Sequence, residues 1–200
     1  MSRGLGFADL QGYVAGETVT QGLAPGDSVR RLELEDCVVR GAVLAQARIV
    51  DCVFLDCTFE AVDLSSADLT GSRFSGCSFV GCKLLGLRWS STAAATLLSP
   101  NTFDECRLDF ATFAEADLRE TRFIQCRLRE ADFTRADLRK SDFAGCDLAQ
   151  ARFAGADLRE ASLVGATGWV VDPRDAQVQG LRIDADAATG LVVPLGVVVE

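Results

Sequence analysis

Between Asp51 and Phe74 the chain reads DCVFLDCTFEAVDLSSADLTGSRF, and a Phe or Leu returns at every fifth position: Phe54, Phe59, Leu64, Leu69 and Phe74. An amphipathic helix repeats its apolar stripe at about 3.6 residues and a half-buried strand at about 2, so neither holds this register over five beats. The register extends backward through Ile49, Leu44, Val39 and Leu34 to Val29 and forward through Phe79 and Leu84 to Trp89, with no polar residue at any of these centres. After a break it resumes in a shifted phase at Phe103 and runs through Leu108, Phe113, Leu118, Phe123, Leu128, Phe133, Leu138, Phe143, Leu148, Phe153 and Leu158 to Leu163.

Two residues before most centres stands a small side chain, such as Cys52, Cys57, Ala67, Ser72, Ala131 or Ala156; Leu32, Val62 and Leu87 are exceptions. In an extended segment residues i and i−2 face the same way, so each unit buries one large and one small group and leaves three for solvent and a bend. The bend falls two residues after the centre, where Gly41, Gly71, Gly76, Gly81, Gly86, Gly145, Gly155 and Gly165 supply the freedom for a positive φ.

A period of twenty underlies the period of five: Cys106, Cys126 and Cys146; Phe113, Phe133 and Phe153; Leu118, Leu138 and Leu158; Arg119, Arg139 and Arg159. Four sides therefore make one coil, and like stacks on like in a parallel solenoid. Twenty-six sides predict about six and a half coils and, at ~4.8 Å per coil, a rod roughly 31 Å long.

Ala67-Asp68-Leu69, Ala116-Asp117-Leu118, Ala136-Asp137-Leu138 and Ala156-Asp157-Leu158 resemble the A(D/N)Lxx units of pentapeptide repeat proteins, and Ala131-Asp132-Phe133 and Cys57-Thr58-Phe59 add to the likeness. The resemblance implies an all-β fold, a right-handed quadrilateral β-helix, here expected over residues 29–166 with a short C-terminal helical cap. With its Cys-x-Phe units, single break and apolar C-terminus, the chain is similar to the stand-alone members that confer quinolone or albicidin resistance. That likeness implies a DNA mimic that binds DNA gyrase or topoisomerase IV and protects it from poisons. A non-enzymatic adaptor presenting a rigid face to another protein is the alternative.

The fourteen residues from Trp89 to Phe103 cannot keep the phase, so 90–101 is expected to leave the rod as a loop. Residues 1–28 are expected to form an irregular N-terminal cap and 167–200 a C-terminal cap, because a solenoid end exposes core side chains and unpaired edges. Asp184 or Asp186 is placed to N-cap a short helix ended by Pro194. Leu191, Val193, Leu195, Val197 and Val199 exceed what capping requires and predict a homodimer through this end.

Composition narrows the function. A net charge of −9 with no basic cluster argues against direct binding to nucleic acid. The absence of His removes the commonest general base and every His-containing zinc site, and no phosphate-binding glycine motif occurs, so neither an enzyme nor a cofactor nor a metal is expected. The N-terminus MSRGLGFADLQGYV has no apolar h-region and the longest apolar stretch, 190–199, is far short of a membrane span, which predicts a cytoplasmic protein with free thiols. All eight cysteines occupy the small inward position and read as small hydrophobes. Outside the core, Asp117, Asp137 and Asp157 are expected in one column with Arg119, Arg139 and Arg159 in another. This is either a solvated face whose charges offset one another or a partner-docking surface. Residues 26–166 hold 22 acidic and 17 basic side chains, a net of −5, against about 18 charges on ~31 Å of duplex. Mimicry therefore requires a local acidic strip.

Overall fold

The computed structural model of the chain describes residues 5–89 and 99–198. Short strands stack in parallel, each rung twenty residues after the last, or twenty-four where the sequence break intervenes. On one face Val19, Val39, Phe59 and Phe79 lie in register, followed by Phe103 and Phe123. We call this the first face. The second carries Leu44, Leu64, Leu84, Leu108, Leu128 and Leu148, the third Ile49, Leu69, Trp89, Phe113, Phe133 and Phe153, and the fourth Leu34, Phe54, Phe74, Leu118, Leu138 and Leu158. All these centres are buried. Their rings form continuous stacks, for example Phe59 on Phe79 at 4.7 Å and Phe79 on Phe103 at 4.8 Å between centroids, so the column crosses the sequence break undisturbed.

Each corner lies two residues after a centre, and the backbone there has positive φ whether or not the residue is glycine. Gly71 (φ 70°) and Gly81 (φ 60°) share this state with Asp56 (φ 51°), Ala61 (φ 51°), Glu120 (φ 60°) and Lys140 (φ 59°). A non-glycine residue in this region costs on the order of 1 kcal/mol or more. The fold offsets it because the corner N–H donates to the next coil, as Gln46 N does to Ser65 O and Lys140 N to Arg159 O.

Corners come in two forms, and the difference explains the cysteines. In a closed corner the N–H three residues after the centre donates to the centre's own carbonyl, as Ala67 N does to Leu64 O and Ala136 N to Phe133 O. In an open corner that turn bond is absent, and the carbonyl also lies within reach of a side chain one coil further on. Cys57 Sγ donates to Leu34 O (3.4 Å), Cys77 to Phe54 O (3.4 Å), Cys82 to Phe59 O (3.2 Å), Cys106 to Phe79 O (3.3 Å), Cys126 to Phe103 O (3.4 Å) and Cys146 to Phe123 O (3.2 Å). Ser72 does the same with oxygen, donating to Ile49 O at 2.7 Å and accepting from Cys52 N at 3.0 Å. The thiols, all unpaired and buried, thus fill a small space and add a second donor to carbonyls that the strand ladder already meets; at Phe123, where no backbone N–H among the described residues donates to the carbonyl, Cys146 Sγ takes that place.

The rod extends beyond both expected boundaries. Residues 5–28 are not an irregular cap: Leu5 pairs with Val19, strand Tyr13–Ala15 with Glu33–Glu35, and Thr18–Gln21 with Val38–Arg40. At the other end the rungs Asp157 to Gln177 and Ser162 to Arg182 keep the twenty-residue spacing, with Val171 and Ala176 buried at the small position. The apolar centres had lapsed at Gly168 and Pro173, which hid this continuation. Most of the expected loop at 90–101 lies outside the described residues. Its return is visible at Asn101, whose side chain donates to Phe74 O (3.2 Å) and accepts from Cys77 N (2.9 Å), performing for one coil the service that Ser72 performs below it.

The cap is a run of short turns: a 3-10 turn at Ala185–Ala188, a single α-turn at Thr189–Val192 and a second 3-10 turn at Val193–Leu195. Asp184 occupies the N-cap position without bonding the turn through its side chain; its carboxylate accepts from Gly165 N at 2.6 Å and ties the cap to the last coil. Gly190 lies directly on Trp169, where a Cβ would stand 2.4 Å from the ring.

Candidate functional site: the charged columns

The aspartate that precedes many centres has a local duty. Its carboxylate accepts from the backbone N–H two residues on, as Asp63 does from Ser65 N (3.0 Å), Asp132 from Thr134 N (2.9 Å) and Asp147 from Ala149 N (3.2 Å). The residue after the centre faces outward, so this Asx bond satisfies a donor that the ladder leaves over.

Asp117, Asp137 and Asp157 follow this rule and stack as expected, in parallel bridges from one coil to the next. Arg119, Arg139 and Arg159 lie beside them, and each guanidinium forks onto its own aspartate. Arg119 Nε and Nη2 meet Asp117 at 2.8 and 2.6 Å, Arg139 meets Asp137 at the same distances, and Arg159 meets Asp157 at 2.8 and 2.5 Å. Longer contacts join neighbouring coils, from Arg119 to Asp137 at 3.7 Å and from Arg139 to Asp157 at 3.6 Å. The Arg119 guanidinium holds the Asp117 carboxyl below the usual carboxylate range, and Arg159 does the same for Asp157. Six charges thus cancel along a rigid zipper, and their carboxylates are committed within the chain.

Uncompensated acid lies elsewhere on the fourth face. Toward the N-terminal end Glu33, Glu35 and Asp36 occupy one coil and Asp56 the next, with Glu17 at the preceding corner. Among the described residues none of the five makes an ion pair within 4 Å, although Glu35 accepts from the Tyr13 hydroxyl at 2.5 Å. Sequence reading missed this strip because it fixed on the regular twenty-residue columns, and Glu33, Glu35 and Asp36 do not repeat. The signal was available in the phase: positions one before, one after and two after Leu34 all point outward.

At the C-terminal end Val193, Leu195 and Val197 are exposed by 54, 45 and 49%, whereas Leu191 packs partly against the core. Val199 lies outside the described residues. Beside them an open cleft of about 530 Å³ runs between the cap and the last coil, lined by Trp169, Val170, Ala187, Gly190 and Val193 with Asp184 and Asp186. Among the described residues no group of three or more Cys, Asp or Glu is placed to hold a metal ion, and no helix is long and apolar enough to cross a membrane.

A quadrilateral parallel β-helix with outward-facing charge is a repeat scaffold. Two family models match it, "Pentapeptide repeats (8 copies)" over residues 40–76 and "Pentapeptide repeat region" over 98–167, together more than half of the chain. The chain belongs to the pentapeptide repeat family. Among solved structures it is similar to a trypsin-treated form of QnrB1, described as a plasmid-mediated fluoroquinolone resistance protein, with 18% identity, a TM-score of 0.70 and coverage of 96% of this chain and 99% of that one. Full-length QnrB1 aligns with 18% identity and a TM-score of 0.57 over 93% of this chain and 100% of that one. HetL from the cyanobacterium Nostoc sp. strain PCC 7120, described as involved in heterocyst differentiation regulation, aligns with 18% identity and a TM-score of 0.53 over 86% of each chain. No curated protein matches in sequence. At these identities the structural likeness establishes the fold.

Proposed function

We propose that this protein binds a type II topoisomerase, DNA gyrase or topoisomerase IV, at the surface that receives DNA, and protects it from poisons without catalysing a reaction. The reading rests on the resemblance to resistance members of the family, with QnrB1 sharing the rod over nearly its whole length. The observation that carries it is the unpaired acidic strip of Glu33, Glu35, Asp36 and Asp56. A rod of modest net charge mimics DNA only where its charge is concentrated and unneutralised, and this strip meets that condition better than the zippered column of Asp117, Asp137 and Asp157. The protein acts in the cytoplasm as a homodimer joined through Val193, Leu195 and Val197.

Gyrase supercoiling and fluoroquinolone-induced cleavage assays test the proposal. Micromolar protein should alter one or both, reversal of Glu33, Glu35 and Asp36 to Lys should abolish the effect, and reversal of Asp117 and Asp137 should leave most of it. No effect of the native protein and no binding to the gyrase subunits sinks this reading and leaves the adaptor. Light scattering tests the dimer: the full chain should weigh two protomers and a Val193→Asp, Leu195→Asp double variant one.

A further inference from the structure

We draw no further inference here: the strongest candidate, the open cleft between the C-terminal cap and the last coil lined by Trp169, Val170 and Val193, belongs to the apolar end already read as the homodimer interface, and nothing in the structure shows what else covers it.

Discussion

Replacing Cys146 distinguishes a thiol that merely fills space from one that completes the backbone wiring. In Cys146→Ala the lost sulfur leaves a cavity worth about 1 kcal/mol. Its Sγ–H meets Phe123 O at 3.2 Å, and no backbone N–H among the described residues donates to that carbonyl, so removal also strands it, at about 1–3 kcal/mol. The total for Ala is then about 2–4 kcal/mol. Cys146→Ser loses the sulfur's volume but keeps the donor, as Ser72 shows at 2.7 Å from Ile49 O, so its cost should stay near 1 kcal/mol. A space-filling thiol predicts the reverse order, because Ala would cost only the cavity and Ser would add an unsatisfied buried hydroxyl at about 1–3 kcal/mol. Urea unfolding followed by circular dichroism and by Trp89 and Trp169 emission measures both variants, with comparisons made at unchanged m-value. A serine variant less stable than the alanine variant would refute the account of the open corners.

Three further outcomes follow from the same geometry. Asn101→Ala should destabilise by about 2–4 kcal/mol in urea melts, since it orphans both Phe74 O and Cys77 N at the re-entry to the rod. Gly190→Ala would place a Cβ 2.4–2.6 Å from Trp169, so it should push the cap off the last coil and shift Trp169 emission to the red; unchanged emission would contradict the packing. Asp117 and Asp157 have depressed carboxyl pKa values in the folded state, so their contribution is fully present above the unfolded Asp value of about 3.9 and is lost as pH falls below it. Acid melts of an Asp157→Asn variant should therefore flatten relative to the native protein below that pH, and parallel curves would exclude the zipper as a source of acid sensitivity.

The shaft was legible because its cause is periodic. Phe59, Phe79 and Phe103 had to face inward on one wall whatever the rest of the chain did, and the corner glycines marked the bends. The ends were harder to read. Val19 is a single apolar residue among polar neighbours, Val14 stands in a short run closed by Gly12 and Gly16, and Gly168 and Pro173 interrupt the centres even though Val171 and Ala176 keep the small position, so local composition concealed rungs that pairing with the adjacent coil makes plain. The cysteines were half legible: their inward direction followed from phase, but their hydrogen-bonding role depends on the corner type one coil earlier. The charged columns were placed correctly in space, yet their neutralisation turns on rotamers that no spacing encodes. Asp184 and Asp186 both looked like helix caps, and only the packed cap shows that Asp184 bonds Gly165 N instead.

Corner type and charge pairing change together along the rod, and the combination bears on which part meets a partner. The coils through Phe79 are rich in open corners and three-residue strands, and on their fourth face Glu33, Glu35, Asp36 and Asp56 make no ion pair within 4 Å among the described residues. The corners beyond Phe123 close with turn bonds, and from Asp117 onward the fourth face is zippered Asp to Arg. A zippered face must break its own forks before it can bind a basic surface, so much of each new contact is offset by a lost one. An unpaired strip has no such cost, and self-repulsion among Glu33, Glu35 and Asp36 is relieved when a cation arrives. The N-terminal coils are therefore the part of the fourth face on which a basic partner gains most, and the C-terminal coils the part that gains most from being left in solvent.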